Sequence, residues 1–283
     1  MTSSSRSDLL TIGDLAARTG VPPATLRSWE SRYGFPRPVR RGGGHRRYAE
    51  SEAAAVQEVL RHRDGGLALA AAVRRVAAGS FRSKSVHAEL RRRHPELVPQ
   101  LLSKRSLLAL SRAIEDECCA RAERPLLFAG FQRQAFLHAS YARWTELART
   151  ARAAVVFASL DAPTAPRPGL PIEVALPPEA PLNREWIIVC DAPDLPACMA
   201  AVERPGQEEV PDRHRRFETV WSVDPRVVRD ASRMAAALAD GYQPAWRSPA
   251  AAVPNEEPPA ASADLRRATD LLNRMMGYLE AGH

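Results

Sequence analysis

Residues 11–34 read TIGDLAARTGVPPATLRSWESRYG, and residues 40–48 follow with RRGGGHRRY. Thr11 is placed to cap a helix, its hydroxyl accepting from a backbone N–H that the first turn leaves unpaired. Ile12, Leu15 and Ala16 recur at i, i+3 and i+4, so they share one helical face. Gly20 supplies the positive φ of a tight inter-helix turn. Pro23 suits the first turn of the next helix, where its missing N–H costs nothing. Leu26 packs that helix back on the first, with Thr25, Arg27, Ser28 and Arg32 on flanking or outward faces. The pattern predicts a helix-turn-helix, whose second helix fits a major groove.

The basic segment predicts a wing beside it. Arg40, Arg41, His45, Arg46 and Arg47 surround Gly42, Gly43 and Gly44, and Tyr48 closes the set. Bare glycines let backbone approach a phosphate, arginines neutralise it with forked donors, and a tyrosine hydroxyl adds a neutral contact. The expected DNA-contacting set is therefore Thr11, Arg18, Thr25, Arg27, Ser28, Trp29 and Arg32 with Arg40, Arg41, Gly44, His45, Arg46, Arg47 and Tyr48. The alternative for so basic a run is a solvated hairpin with no partner; its place directly after a helix-turn-helix favours DNA.

Charge divides along the chain in the same sense. Through Arg105 there are 20 basic and 9 acidic side chains, whereas the remainder holds 20 and 24. The positive excess thus belongs to the N-terminal part, as an electrostatic footprint for nucleic acid would require. Residues 80–94 read as a basic connector. No apolar run approaches the roughly 18 residues of a membrane span, and the N-terminus MTSSSRSD lacks the apolar core of a signal peptide. A soluble, cytoplasmic, nucleoid-associated protein is expected. Four cysteines in 283 residues do not make a disulfide scaffold.

Beyond residue 95 the pattern changes. Leu107, Leu110, Ile114 and Cys118 form a helical stripe. Strands are expected at 125–131, 153–158, 172–176, 185–190, 197–202 and 217–223, with helices at 133–150 and 225–239 and Gly241 just past the latter. This mixture predicts an α/β layer domain over 95–242. A proline-rich linker is expected at 243–263. The tail from Asp264 carries Leu265, Ala268, Leu272, Met275 and Leu279 at 3-4-3-4 spacing. A dimer contact through Leu265, Leu272, Met275 and Leu279, or a helix docked on its own chain, both fit that seam.

Residues 9–79 resemble the DNA-binding domain of MerR-type transcriptional regulators. The matching pieces are T-I-G-D-L-A, T-G-V, T-L-R-x-W-E-x-R-Y-G and G-H-R-R-Y, followed by apolar helices at 51–62 and 67–78. Pro22 stands where relatives often carry a capping Ser or Thr. Ser28-Trp29 replaces a common tyrosine pair, similar to the subgroup with light- and cobalamin-responsive members. Residues 95–242 resemble the DICT sensory domain, through LSKRSLLALSRAIEDE (102–117), PLLFAGFQ (125–132) and VWSVDP (220–225). The resemblances imply a multidomain chain: an all-α winged helix-turn-helix, an α/β sensory domain and a C-terminal helix. They imply a homodimer on double-stranded promoter DNA, acting on RNA polymerase by bending or untwisting that DNA, and an effector of unknown identity. No membrane partner and no cofactor are expected.

Among side chains for such an effector, Arg112, Glu115, Phe131, Trp186 and Trp221 are the candidates, each equally at home in a core or on a surface. Cys190 and Cys198, in CDAPDLPAC, have a spacing at which two thiolates can hold one soft cation, the basis of a metal- or thiol-responsive alternative. An enzyme or second-messenger protein anchored by its winged helix is the alternative of another class. No G-x-S-x-G, phosphate loop or H-E-x-x-H supports catalysis, nor is a cobalamin-ligating histidine motif recognisable.

Overall fold

The computed structural model describes residues 9–40, 46–79, 83–162, 165–247, 251–254 and 256–281. It comprises two compact units: residues up to 80 together with 254–256, and the remainder. No helix among the described residues is long and apolar enough to cross a membrane.

The first unit runs α1 (Ile12–Thr19), α2 (Pro23–Tyr33), β1 (Val39–Arg40), β2 (Arg46–Arg47), α3 (Glu50–Asp64) and α4 (Leu69–Gly79). Thr11 and Asp14 cap α1 reciprocally, each side chain bonding the other residue's backbone N–H. Gly20 ends α1 with φ 71°, the left-handed value that turns the chain into α2. Pro22 precedes α2 without a side-chain cap, and Pro23 occupies its first turn. Leu15, Leu26, Val56, Val59 and Ala72 are wholly buried together with Tyr48. Leu10 and Tyr48 exchange backbone hydrogen bonds of 2.8 and 2.9 Å, closing the β2 end of the β1–β2 ladder onto the start of the unit.

The second unit is built on a sheet ordered β3-β9-β8-β7-β4-β5-β6. Its strands are β3 (Gln100–Ser103), β4 (Leu126–Gly130), β5 (Ala153–Ala158), β6 (Ile172–Ala175), β7 (Glu185–Asp191), β8 (Ala197–Glu203) and β9 (Arg216–Ser222). β4, β5 and β6 pair in parallel, and the remaining ladders are antiparallel. Helix α7 (Gln134–Thr150) makes the β4-to-β5 crossover. Strand residues alternate between two cores. Phe128, Val155, Phe157, Ile187, Val189 and Cys198 join residues of α5 (Val86–Arg93) and α8 (Pro225–Tyr242). Ala129, Ala154, Val156, Ile188, Cys190 and Met199 join residues of α6 (Lys104–Arg121) and α7. Strands apolar on both faces require a helical layer on each side.

Four features differ from those the sequence implied. The basic connector supplies α5, whose Val86 and Leu90 are buried in the sheet core while its arginines stay at the surface. The first part of the proline-rich linker is packed rather than solvated: Trp246 and Ala251 are wholly buried, and the Trp246 ring meets Phe128 edge-on at 6.0 Å, while Ala252, Glu256, Glu257, Pro259 and Ala260 are exposed. Helix α8 runs through Gly241 to Tyr242, its last turn braced from the same segment by Arg247 and Trp246 on Asp240. β3, absent from the expected strands, pairs with β9 at the sheet's edge.

Two buried polar contacts tie helices to the sheet. Arg229 of α8 holds Asp191 of β7 bidentately, at 2.8 and 3.1 Å. Glu185, at the start of β7, accepts from the Val86 and His87 backbone N–H groups at the first turn of α5. Burial pushes the Glu185 carboxyl up from its ordinary 4.5 to about 7, against the pull of those hydrogen bonds. Between those two pH values the folded chain keeps a proton that the unfolded chain has lost, so the group's contribution to stability falls as pH rises through the window. Glu185→Gln should match its parent near pH 4.5 and exceed it by up to roughly 3 kcal/mol above pH 7. Urea denaturation across that range checks this, and the opposing slope from buried His87, present in both proteins, cancels in the comparison.

Candidate nucleic-acid interface and ligand cavity

Helix α2 presents two unlike faces. Leu26 and Trp29 point into the unit's core, while Ala24, Arg27, Ser28 and Ser31 are exposed. Those four follow i, i+3, i+4 and i+7 spacing and form one outward strip. Thr25 is half-buried at its edge, and Arg32 is exposed near the C-terminal end.

The β1–β2 ladder pairs Val39 with Arg47 and Arg40 with Arg46. Glu30, on α2, fixes β2 in place. Its carboxylate accepts from Arg46 Nε at 2.8 Å and from the Tyr48 hydroxyl at 3.1 Å. Burial, then the Glu30 charge, pushes the Tyr48 hydroxyl well above its ordinary range, so it stays a neutral donor. Arg46 remains about half exposed despite its pairing, and Arg47 is half-buried.

Several residues expected to touch DNA have other work. Tyr48 is fully buried and spends its hydroxyl on Glu30, so it offers no surface to a phosphate. Trp29 is buried in the same core. Thr11 is engaged with Asp14 in the cap, and Arg18 pairs with Glu50 at the first turn of α3. Thr11, Arg18, Thr25, Arg27, Ser28, Arg32, Arg46 and Arg47 keep at least partial exposure, Arg18 as much as Arg46 although each is ion-paired. Arg40 stands in β1, whereas Arg41, Gly44 and His45 lie outside the described residues.

In the second unit, α6 and α7 leave a cavity of about 350 Å³ over the carboxyl end of β4. Arg112, Glu115, Phe131 and Trp186 all line it. Trp221 does not; it borders a different cavity, beside α9 (Ala263–Ala281). Glu115 accepts from Ser111 and is ion-paired to Arg143, which also reaches Asp116. Burial outweighs Arg143 and pushes the Glu115 carboxyl above the ordinary carboxylate range. Ser140 and Arg143 complete this polar wall, which sequence spacing alone could not bring to Glu115 because they stand on another helix. Gly130 lets β4 and β7 close at the cavity floor, since a Cβ there would lie 2.9 Å from Ile187 Cγ1.

Cys190 and Cys198 are not brought together. They occupy adjacent strands but opposite faces, one in each core. Cys190 is disulfide-bonded to Cys118 of α6, and burial pushes the Cys198 thiol up to about 12. No group of three or more His, Cys, Asp or Glu suited to a metal occurs among the described residues.

The tail seam divides similarly. Leu265, Leu272, Met275 and Leu279 are exposed, and α9 docks through another face. Met276 packs on the sheet core, and Glu280 accepts from the Ser103 backbone N–H at 3.1 Å, from its hydroxyl at 2.9 Å and from Arg216 at 2.6 Å.

Residues 11–48 match the MerR family regulatory protein model, and residues 84–204 match DICT, the sensory domain in diguanylate cyclases and two-component systems. The chain is 41% identical over 86 residues to the HTH-type transcriptional repressor CarA of Myxococcus xanthus, covering 30% of each protein. It is 39% identical over 59 residues to the HTH-type transcriptional regulator MlrA of Escherichia coli, covering 21% of this chain and 24% of that one. The same identity and coverage hold for MlrA of Salmonella typhimurium. The matched segments span less than a third of these relatives.

Tyr48→Phe, which keeps the ring and deletes its bond to Glu30, should cost about 1 kcal/mol of stability. Because the hydroxyl is sealed from solvent, the salt dependence of duplex binding should not change. Denaturation and salt-titrated duplex binding of the same variant check both halves.

Proposed function

We propose that this chain, which carries a MerR-family helix-turn-helix domain and a DICT sensory domain, is a DNA-binding transcriptional regulator under the control of a small signal. The observation that carries the DNA half is the exposed strip Ala24, Arg27, Ser28 and Ser31 on α2, with the Arg46–Arg47 strand pinned to the same helix through Glu30. In this reading α2 enters the major groove, and Arg27 and Ser28 face base edges with Thr25 at their flank. The β1–β2 ladder is the wing, its arginines lying along phosphate. MerR-type relatives bearing the names repressor and regulator support this assignment.

The protein acts as a homodimer on a two-fold site, because one helix-turn-helix reads only one half-site and closed two-fold pairing is the commonest assembly. The exposed seam Leu265, Leu272, Met275 and Leu279 supplies a contact for the second copy. Distortion of the promoter lets the dimer change how polymerase engages it. The signal occupies the α6–α7 cavity, where Phe131 and Trp186 offer apolar surface and the Arg112, Glu115 and Arg143 groups offer polar recognition. It acts by favouring one of two arrangements of the dimer.

Arg47→Ala should weaken binding to every duplex and lower the slope of log K against log salt by about one, as loss of a single phosphate contact does. Arg27→Ala should change base preference at one position, by about 1–3 kcal/mol of discrimination. Titration of the protein's own promoter region across salt concentrations separates the two; equal effects from both variants on all sequences would remove the groove assignment for α2. Full-length protein and a fragment ending near residue 80 should regulate a promoter reporter differently across growth conditions. Identical regulation would leave the second domain a structural module.

A further inference from the structure

Helix α5 ends on a histidine held between two acids. His94 is its C-cap residue; the ring Nε2 lies 3.1 Å from Asp230 Oδ2 on α8, and Nδ1 lies 3.2 Å from Glu96 Oε1. A neutral imidazole has a single N–H, so at one of these contacts a ring lone pair would face a carboxylate oxygen. Only the imidazolium donates at both. The geometry is that of a cationic ring in a two-carboxylate clamp.

The groups around the clamp favour that cation on balance. The Asp230 side chain is 22% exposed and that of Glu96 65%, so Asp230 is the less screened partner. Arg93 and Arg233 also face Asp230, at 4.0 and 3.6 Å, and each is shared with another acid, Glu89 at 2.7 Å and Glu257 at 2.5 Å. Burial works against charge on the ring, yet the hydrogen bond and charge of Asp230, then Glu96, outweigh it and hold the proton above the ordinary 6.5. Two further titratable groups meet α5 away from its end. Glu185 receives its first turn, and His87, which burial holds neutral, faces Glu218 and Arg91.

Val86 and Leu90 keep the body of α5 in the sheet core whatever the state of the clamp. The clamp acts on the last turn and the segment beyond it. There the His94 N–H donates to the Leu90 carbonyl at 2.8 Å, and the Leu97 N–H to the His94 carbonyl at 3.0 Å. Glu96, Leu97 and Val98 then wall a cavity of about 790 Å³ beside α9.

We propose that His94 is a proton-operated latch: the imidazolium pins the end of α5 to α8, and loss of its proton frees residues 94–98 and with them one wall of the α9 cavity. Proton concentration is then a signal in its own right, received at α5 and α8 and independent of any ligand between α6 and α7. The sign follows from linkage. A ring that holds its proton more tightly when latched contributes fully below pH 6.5, and the contribution is lost as pH rises through the latched midpoint.

Hydrogen exchange of the full-length protein, followed by mass spectrometry in peptides covering 90–98, tests this between pH 6 and 9, with the intrinsic exchange rate at each pH divided out. Protection there should fall as pH rises, about tenfold for each unit by which the His94 midpoint, measured by NMR, exceeds 6.5. Peptides covering β4 and β5 should stay protected throughout. Glu185→Gln removes the other group titrating in this range and should keep the decline; adding His94→Gln to it should remove the decline and leave the segment less protected at pH 6. Asp230→Asn should lower the His94 midpoint and flatten the decline. Circular dichroism melting verifies that each variant folds, and the midpoints in the parent and in Asp230→Asn decide if the double variant does not. A midpoint at or below 6.5, protection constant from pH 6 to 9, or a decline in Glu185→Gln that survives His94→Gln overturns the proposal. None of these outcomes bears on the α6–α7 cavity, so the regulatory reading stands or falls separately.

Discussion

The second unit depends on a sheet with inner strands that are apolar on both faces. β4 and β5 contain no charged side chain, and all their residues are buried. A strand of that kind cannot meet water on either side, so helices must cover both. α5 and α8 cover one face, and α6 and α7 cover the other. The same requirement places the polar groups: Asp191 and Glu185, at the two ends of β7, are buried only because Arg229 and the first turn of α5 meet them. Even the α6–α7 cavity is a by-product of the two-sided cover. It lies between the two helices at the end of β4, where Gly130 lets the strands close without filling the space above.

Strong periodicity made most of this architecture legible. The stripe Leu107, Leu110, Ile114 and Cys118 became α6, and AAVVFA became β5. What periodicity missed was short or masked by charge. β3 is four residues long and α5 eight, and the three arginines that end α5 read as a solvated connector although Val86 and Leu90 anchor it. The proline-rich segment after α8 shows the complementary failure. Proline content argues for an extended chain, yet the buried Trp246 and Ala251, with Arg247 on Asp240, hold its first part on the core. Strand order was not readable at all, because hydrogen-bonded neighbours such as β3 and β9 lie over a hundred residues apart.

The candidate DNA surface was half legible for a related reason. Sequence gives residue type and helical phase, so the outward placement of Arg27 and Ser28 on α2 followed from Leu26. It does not give the partner of a polar group. Tyr48 and Arg46 looked alike as wing residues, yet both converge on Glu30, one from inside the core and one from its surface. Thr11 and Arg18 likewise have partners, Asp14 and Glu50, that residue type alone does not announce, although both keep exposed surface. The effector candidates divided by the same logic: four stand around one cavity because α6, β4 and β7 converge there, and Trp221 belongs to a neighbouring space beside α9.

Helix α9 is apolar on more than one side. Met276, Gly277 and Glu280 are turned toward β3 and the sheet core, while Leu272, Met275 and Leu279 are turned outward. An amphipathic helix with a single apolar stripe must choose between its own domain and a foreign surface, and every association then carries the free energy of detachment. Here the two attachments draw on different side chains, so they are thermodynamically independent to first order. Any pairing through the outer seam proceeds from the docked state, its strength set by the seam alone and not diminished by the contacts that hold the helix at home.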